Sequence, residues 1–526
     1  MKNVVLILAD QLRKNYLGCY GNSNVSTPNI DRISNMGVRF ESCYVSHPFC
    51  MPSRASIFTG QYAHNHQLWA NGVLLRQELP TMGSFLKEAG YATASIGKAH
   101  LSPYGAFGDA PQDSMEDHRR WNDPQMQKWH GPYWGFDYVE FVLNHATRPT
   151  GHYGSWFFAH GGTVEMITES DFGKNRIGNT TECHTTDIPE RLHDSTFIGC
   201  RSAEFIREKA DEGNPFFLTA SFPDPHHPFN PPAETAARYV DAGVTLPIAE
   251  DDNLEDRPRH YQLHQQCVWH PAGAQQVTDD MSEEERAAVP FYRELVEKRR
   301  NPKSEMMEVG KSSQKVTNDE RDARIRSTYA MIDLIDKGVG NILSALEETG
   351  QLDNTVIIFA ADHGELMGDH GLWKKGPFFY DGLMNTPLII FDPDHNPGVC
   401  YGMASLVDVF PTAAALLNLP APIFCDGMAL TAAMEDGVSR TECLIEYRNG
   451  FLEHELHANA IVDDHYKFVQ YNTDECELTD RINDKEERVN LAANEAHAQL
   501  VNEYRKKLLM LLLNTPTRYP INISSF

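Results

Sequence analysis

The stretch HPFCMPSRASIFTGQ, residues 47–61, places one cysteine, Cys50, just before a proline, a serine and an arginine. Pro52 is tolerated in a first helical turn, and a plausible helix follows, so Cys50 lies near a helix N-terminus. Unpaired N–H groups at such an end attract anions, and Arg54 adds a fixed positive charge one turn in. Taken alone, the pattern allows a buried packing cysteine or a reactive thiolate in an anion-binding turn.

Three apolar runs end abruptly in polar side chains, the pattern of buried strands with polar residues at their carboxyl ends. NVVLILAD ends at Asp10, TVIIFAADHGE runs into Asp362 and His363, and PFFLTASFPDPHHPF runs into His226 and His227. Helical segments such as TMGSFLKEAG and IRSTYAMIDLIDKGVGNILSALEETG lie between these runs. Each of these segments closes with a glycine suited to a helix C-cap.

Alternating strands and helices predict an α/β fold, a doubly wound, mostly parallel sheet with helices on both faces. Ligands bind beyond the carboxyl ends of such strands, where the polar side chains collect. Towards the C-terminus, ECLIEYRNG and HANAIVDDHYKFVQYN predict short antiparallel strands. We therefore predict a catalytic domain over 1–437, with irregular insertions near 103–162 and 231–315. A small C-terminal α+β domain over 438–526 would end in an amphipathic helix near 498–514, docked on the body or on a second subunit.

The composition argues against several classes of function. The chain has 46 basic and 73 acidic residues, a formal net charge of −27, which disfavours nucleic acid and anionic membranes as partners. No apolar run approaches the roughly 20 residues of a membrane-spanning helix, and the start MKNVVLILADQ reaches an acid too soon for a signal-peptide core. The ten cysteines include no C-x-x-C pair, so we expect reduced, mostly buried thiols in a cytoplasmic protein.

Cys50 belongs to the complete string C-x-P-S-R-x-S-x-x-T-G, whose seven specified positions are hard to meet by chance. The sequence here resembles the type I, formylglycine-dependent sulfatases of the alkaline phosphatase superfamily, whose signature has this form. Their second signature, G-Y-x-T-x-x-x-G-K-x-H, is met in full from Gly90 to His100. The similarity extends from TPNIDRISNMGVRFESCYV to ECELTDRINDKEERVNLA, nearly the whole chain, and implies an alkaline-phosphatase-like fold.

The resemblance implies that Cys50 is the precursor of an aldehyde. In these enzymes a maturation enzyme oxidises the motif cysteine to Cα-formylglycine and reads the following proline and arginine as its recognition element. Hydrated to a geminal diol, this residue attacks sulfur with one hydroxyl, and the other hydroxyl lets the covalent sulfate leave by re-forming the aldehyde. The implied enzyme is a sulfatase, a sulfuric ester hydrolase of the arylsulfatase type.

The resemblance also implies one divalent metal, because a neutral hydroxyl is a weak nucleophile without activation. Its implied ligands are Asp10, Gln11, the modified Cys50, Asp362 and His363. Hard oxygen ligands favour Ca²⁺ first, with Mg²⁺ as an alternative. Many sulfatases carry Asp and Asn where this chain has Gln11 and His363, and the replacement shifts the preference towards Mn²⁺. The same combination occurs in the branch of choline sulfatases and phosphonate monoester hydrolases, which suggests that branch.

Three cations match the positions at which the family holds the sulfate, Arg54, Lys98 and Lys375. A sulfate ester spreads charge over oxygens that must be held as the S–O bond breaks. Lys374 is a neighbouring alternative to Lys375, and the family's W-x-K spacing from Trp373 favours Lys375.

Two histidines match acid–base positions of the family. His100 would sit by the formylglycine and assist its proton release, and His226 would act as general acid at the leaving oxygen. His227 is the rival of His226, and the pattern P-H-x-P-F favours His226.

Three functions are open from the sequence. The first is hydrolysis of a small sulfate ester or a sulfated sugar. The second is a phosphonate monoester hydrolase or phosphodiesterase on the same scaffold, since the same nucleophile and metal can serve either centre. The third is a non-catalytic, metal-binding protein with an unmodified cysteine. A formylglycine-generating maturation enzyme is the expected partner, and a homo-oligomer is compatible with the sequence.

Overall fold

The computed structural model describes residues 1–104, 114–144, 148–169, 183–258, 260–261, 316–448 and 456–515. The main sheet of this part consists of β1 (Asn3–Ala9), β2 (Val38–Tyr44), β3 (Ala92–Gly97), β4 (Tyr138–Phe141), β5 (Phe216–Phe222), β6 (Thr355–Ala361), β7 (Leu388–Phe391) and β8 (Gly398–Ser405). Their spatial order is β4-β3-β5-β1-β6-β7-β2-β8. Neighbours pair in parallel except β7, which is antiparallel to both β6 and β2. The predicted mostly parallel sheet is confirmed.

Helices cover both faces of the main sheet. The described helices are α1 (Pro28–Met36), α2 (Cys50–Thr59), α3 (Ala63–His66), α4 (Met82–Glu88), α5 (His152–Ala159), α6 (Val164–Glu169), α7 (Asp194–Glu212), α8 (Ala233–Ala236), α9 (Asn318–Glu348), α10 (Asp381–Met384), α11 (Val409–Leu416), α12 (Thr431–Asp436) and α13 (Ala498–Asn514). Successive side chains of β1 alternate between two cores because a strand has a period of two. One core contains α1, α7 and α9, and the other contains α2, α4 and α11.

The long helix α9 begins earlier than its apolar pattern predicts. Thr317 and Glu320 form a capping box in which each side chain accepts the other's backbone N–H, so the helix starts seven residues before Ile325. It ends at Glu348, shortly before Gly350, whose φ of +64° suits glycine. The predicted helix and its glycine stop are therefore confirmed, and the capping box adds two turns at the start.

The C-terminal part contains a second, antiparallel sheet in the order β12-β11-β10-β9, formed by β9 (Glu442–Arg448), β10 (His457–Asp463), β11 (Tyr466–Tyr471) and β12 (Cys476–Asp480). Helix α13 occupies the predicted residues 498–514 and buries Val501, Tyr504 and Leu508 in the core of this sheet. The small sheet is confirmed, whereas the domain boundary between residues 437 and 438 stays a prediction.

Both segments predicted as irregular insertions contribute to the fold. Within 103–162, β4 extends the main sheet beside β3, a short strand whose pairing decides its structure. Within 231–315, Arg257 and Tyr261 are buried against the small sheet, so part of this predicted insertion packs into the core. The rest of that segment, 262–315, lies outside the described residues.

Two expectations about the chain as a whole can be compared with the described residues. Nine of the ten cysteines lie in this part, and all nine are free thiols, six of them buried. Cys267 lies outside it. Among the helices described, none combines the length and apolar character needed to cross a membrane. A cytoplasmic location stays a prediction.

Candidate active site

The carboxyl ends of the parallel strands bring the predicted residues together. Asp10 follows β1, Asp362 and His363 follow β6, and Cys50 opens α2 after β2. The Sγ atom of Cys50 lies 2.8 Å from Lys375 Nζ, 3.2 Å from His363 Nε2 and 3.7 Å from Asp10 Oδ1. All five side chains are buried. The structure thus assembles a nucleophile position, two acids, a histidine and a lysine from four distant parts of the sequence.

The first signature builds the helix that presents Cys50. Ser53 Oγ donates to the Asp362 carbonyl oxygen at 2.5 Å, and Arg54 Nε donates to Asp362 Oδ2 at 2.7 Å. Thr59 Oγ1 bonds back within the helix, and Gly60 ends it with φ +66°. These contacts fix the start of α2 against the end of β6, so the motif has a structural role beside any chemical one.

The second signature lets β3 end directly against β5. Gly97 has φ +107°, and a Cβ there would lie 1.9 Å from the carbonyl oxygen of Ser221. Only glycine fits this approach. The next residue, Lys98, donates its backbone N–H to the same carbonyl at 2.9 Å. Its ammonium group contacts the Asp10 carboxylate, and its own carbonyl accepts Arg54 Nη1 at 2.8 Å.

His100 is held in an unusual backbone conformation at the edge of the cluster. Its φ is +58°, and its N–H donates to Glu116 Oε2 at 2.6 Å. The ring stacks on Tyr104 at 4.2 Å, and the buried Nδ1 atom has no hydrogen-bond partner in the described part of the chain. Burial and the charges of Lys98 and Arg54 hold the pKa of His100 well below its usual value. The ring is neutral, as a proton acceptor must be. No hydrogen bond joins it to Cys50.

The adjacent histidines have different neighbours. His226 Nε2 lies 3.1 Å from Lys375 Nζ, which also lies 3.1 Å from His363 Nε2. His227 Nδ1 lies 3.1 Å from Gln11 Nε2. The structure therefore brings His226 beside the lysine that contacts Cys50, and Lys375 itself, as predicted, reaches the cysteine. The catalytic roles of both residues stay predictions.

The predicted metal ligands fit a divalent cation. Ligand atoms of Asp10, Cys50, Asp362 and His363 all lie within 4.8 Å of one another. His363 Nδ1 lies 2.8 Å from the Gly364 carbonyl oxygen, to which it donates, and this tautomer leaves the Nε2 lone pair towards the cluster. Carboxylate oxygens suit Ca²⁺, Mg²⁺ or Mn²⁺, and the imidazole shifts the preference towards Mn²⁺.

Gln11, the remaining predicted metal ligand, contacts the same cluster through its backbone and its side chain. Its backbone N–H donates to Asp362 Oδ1 at 3.0 Å, and its side-chain Nε2 contacts the Glu365 carboxylate and His227. The remaining amide oxygen, Oε1, is buried and has no partner among the residues described. A buried amide oxygen without a partner is compatible with a metal ligand, and this role of Gln11 stays a prediction.

The electrostatics favour an anionic substrate. Burial alone raises the pKa of the Asp10 carboxyl, but the charges of Lys98, Lys375 and Arg54 outweigh it and hold that pKa well below its usual range. Burial and Asp10 likewise raise the pKa of the Cys50 thiol, and Lys375 and Lys98 shift it net downwards. Three cations therefore lie close to the nucleophile position in a strongly acidic protein, which suits the oxygens of an anionic ester.

Two buried acids and one backbone carbonyl that support the site were missed by sequence reasoning. Glu116 accepts the backbone N–H groups of three successive residues beginning at His100. Glu365 orients Gln11, and the Asp224 carbonyl accepts the Asp10 N–H at 3.1 Å. Glu365 and Asp224 stand inside the quoted motifs ADHGE and PDPHHPF, which could have indicated them. Glu116 lies in an irregular segment with no pattern around it.

Comparison with known proteins agrees with this architecture. A family model described as Sulfatase matches residues 2–419, and one described as N-sulphoglucosamine sulphohydrolase, C-terminal, matches residues 368–513. The uncharacterized sulfatase YidJ of Escherichia coli (strain K12) is 28% identical, covering 96% of this chain and 86% of its own length. An N-acetylglucosamine-6-O-sulfatase of Bacteroides thetaiotaomicron is 25% identical, covering 99% and 87%. The phosphonate monoester hydrolase of Agrobacterium radiobacter has a structure with TM-score 0.73 at 25% identity, covering 99% and 97%.

Fold and site together define an alkaline-phosphatase-like hydrolase, in which one edge of a mostly parallel sheet collects a nucleophile position, acids and cations. The chain belongs to the sulfatase family and is a sulfatase enzyme. The predicted resemblance to that family is confirmed, and the phosphonate monoester hydrolase among its structural neighbours agrees with the predicted branch.

Proposed function

We propose that this sulfatase hydrolyses a sulfate monoester with a Cα-formylglycine formed from Cys50 by a maturation enzyme. The main support for this proposal is the position of the Cys50 side chain, which is buried at the start of α2 and contacts Lys375, His363 and Asp10. When present, the hydrated aldehyde supplies one hydroxyl that attacks sulfur and a second that releases the sulfate.

The cations hold the charge of the ester. Arg54 is fixed by Asp362 and Ser221, and Lys98 is fixed by Asp10, so neither needs to reorganise when charge develops on the sulfate oxygens. Lys375 lies closest to the nucleophile position and adds a third charge there.

The histidines move protons on the two sides of the reaction. We assign neutral His100 as the group that takes the proton of the attacking hydroxyl and His226 as the general acid at the leaving oxygen. The contact between His226 Nε2 and Lys375 Nζ supports this assignment, since it keeps the imidazole beside the reacting group.

A single divalent metal completes the proposed centre. Asp10, Gln11, Asp362, His363 and residue 50 would hold it, with Ca²⁺ ahead of Mg²⁺ and Mn²⁺. When bound, the ion supplies the charge that makes a hydroxyl nucleophilic at neutral pH. The buried, unpartnered Oε1 of Gln11 and the inward Nε2 of His363 support this donor set.

A small sulfate ester or a sulfated sugar is the proposed substrate. The relative that acts, by its name, on N-acetylglucosamine 6-O-sulfate supports a sugar. The alternative is a phosphonate monoester or a phosphodiester, which the neighbouring phosphonate monoester hydrolase structure favours. Both substrates place a tetrahedral centre in front of the same nucleophile.

Two chromogenic esters separate these functions. Wild-type protein, made with a co-expressed maturation enzyme, and its Cys50→Ala variant are assayed on p-nitrophenyl sulfate and on a p-nitrophenyl phosphonate monoester. We expect kcat/KM to favour the sulfate at least about tenfold, and Cys50→Ala to lose at least about 10³-fold on it. A preference for the phosphonate would support the alternative. Equal inactivity of both proteins on both esters would contradict either function.

A further inference from the structure

An arginine stacked on an indole lies at the protein surface near the nucleophile turn. Arg448, the last residue of β9, is exposed, and its Cζ lies 5.1 Å from the ring centroid of half-buried Trp69. Stacking occupies one face of the guanidinium and leaves its N–H edge available to a ligand. Such an edge matches the oxygens of a sulfate or a carboxylate.

The segment that carries Trp69 runs along the active site. Two residues further on, Asn71 Oδ1 accepts the N–H of Met51, the residue after Cys50, at 3.1 Å. Leu75 then donates its N–H to the carbonyl of Leu101, the residue after His100, at 3.0 Å. Residues 69–75 therefore span the distance between the nucleophile turn and the His100 loop.

The strand that carries Arg448 meets the same turn from the other side. The Arg448 backbone nitrogen lies 3.5 Å from His47 Nε2, three residues before Cys50. The Tyr447 ring stacks on His47 at 5.8 Å and lies 6.0 Å from the Phe49 ring. Both partners of the stacked pair are thus anchored to the segment that leads into the nucleophile.

In the described part of the chain, the Arg448 guanidinium contacts an aromatic ring and no acid. No ion pair to its guanidinium occurs among those residues, and the acid two positions earlier, Glu446, is bound by His64 at 2.8 Å. An exposed cation that stacks on an aromatic ring, and that lacks an acidic partner in this region, is suited to an anionic ligand in a protein with net charge −27.

We propose that Arg448, held by Trp69, forms a second anion subsite that selects sulfated sugars carrying a further anionic substituent, a sulfate or a carboxylate. This inference rests on the proposed function, because the first sulfate must occupy the centre at Cys50. The second anion contacts the guanidinium edge and adds binding energy away from the scissile bond. Arg448 is therefore a specificity residue, and it takes no part in bond cleavage.

A matched pair of amino sugars tests the subsite. Glucosamine 2-N,6-O-disulfate carries a second sulfate, where N-acetylglucosamine 6-sulfate carries a neutral acetyl group. Their dissociation constants are measured by calorimetry in a Cys50→Ala background, which has no nucleophile at residue 50 and therefore does not consume the sugars. Arg448→Gln and Arg448→Lys are compared with Arg488→Gln, which removes an exposed arginine paired with Glu486.

The disulfate should bind at least about tenfold more tightly than the monosulfate, and Arg448→Gln should reduce this ratio to within about twofold. Arg448→Lys should keep part of the preference, and Arg488→Gln all of it. Hydrolysis of p-nitrophenyl sulfate by Arg448→Gln in the Cys50 protein should be unchanged. Equal affinities in the parent, or a ratio that Arg448→Gln leaves intact, would overturn the subsite. If the wild-type protein made with the maturation enzyme does not hydrolyse p-nitrophenyl sulfate, that result would instead overturn the proposed function.

Discussion

At the scale of single residues, the orientation of the Gln11 amide decides which atom this side chain would offer to the proposed metal. Its Nε2 contacts the Glu365 carboxylate, so its Oε1 is turned the other way and is left without a partner among the described residues. Glu365 is itself fixed, because its other oxygen accepts the Met367 N–H at 3.1 Å. A fixed hydrogen-bond partner such as Glu365 sets the orientation of the side chain that would bind the metal.

Glu365→Gln should weaken the metal site. If the new amide keeps its bond to the Met367 N–H, its NH₂ group faces the NH₂ group of Gln11, and the Gln11 amide must rotate away from the orientation that offers its oxygen. We expect the affinity for Mn²⁺, measured by calorimetry on metal-free protein, to fall about 10–100-fold.

Glu255→Gln, an exposed acid outside the site, is the matched control and should leave Mn²⁺ binding unchanged. An affinity within about twofold of wild type in Glu365→Gln would contradict the role of Glu365 in orienting the ligand.

Residue types and spacing were enough to predict which side chains assemble at the site. Cys50, Arg54 and His100 lie in strings long enough to be specific, and Asp10 and Asp362 end apolar runs. Between adjacent residues the patterns only favoured Lys375 over Lys374 and His226 over His227, because side-chain direction in a loop depends on tertiary contacts. In the structure Lys375 Nζ, favoured by the W-x-K spacing, lies 2.8 Å from Cys50 Sγ.

At the scale of elements, the junction of β3 with β5 positions Lys98. Gly97 allows the chain to turn where its Cα faces the Ser221 carbonyl, and the following N–H bonds to that same carbonyl. The other glycine of this signature, Gly90, also has a positive φ, of +92°, but nothing lies within 4 Å of a Cβ built there. Substitutions at the two glycines therefore separate the cost of a positive φ from the cost of a steric clash.

Gly97→Ala should destabilise the fold far more than Gly90→Ala. The Gly90 variant carries only the cost of a positive φ, roughly 1 kcal/mol, whereas the Gly97 variant also forces β3 and β5 apart, so we expect a loss of about 3–5 kcal/mol. Urea unfolding followed by circular dichroism measures both. Similar midpoints for the two variants would show that the close approach at Gly97 is not limiting.

The elements were predicted best where the local pattern agrees with the tertiary contacts. The runs ending at Asp10 and Asp362 and helix α13 lie where their apolar patterns place them. The start of α9 was set too late, because its first turns are fixed by the Thr317–Glu320 capping box and not by apolar spacing. Strand β4, four residues long, is defined by its neighbour β3 and leaves little pattern of its own.

At the scale of the whole molecule, a buried ion pair ties the middle of the chain to the small sheet. Arg257 Nη1 lies 2.9 Å from Glu477 Oε2 on β12, and the Tyr261 and Tyr471 hydroxyls donate to the other oxygen of Glu477 at 2.8 and 2.6 Å. Arg257 and Glu477 are both buried. Removing one partner of such a pair leaves an uncompensated charge inside the protein.

Arg257→Met should therefore cost about 3–5 kcal/mol of unfolding free energy, measured by chemical denaturation at neutral pH. The matched control is Arg488→Met, which removes an exposed ion pair with Glu486 and should change stability by less than about 0.5 kcal/mol. An Arg257 variant as stable as this control would show that the Arg257–Glu477 pair does not hold the small sheet in place.

The central claim, that the centre of this sulfatase carries a formylglycine at residue 50, can be measured directly. Peptide mass spectrometry is applied to the fragment containing Cys50, from protein made with and without a co-expressed maturation enzyme. We expect a mass about 18 Da below that of the cysteine peptide only when that enzyme is present, the difference between a CH₂SH and a CHO side chain. An unmodified cysteine in protein made with a competent maturation enzyme would contradict the proposed mechanism.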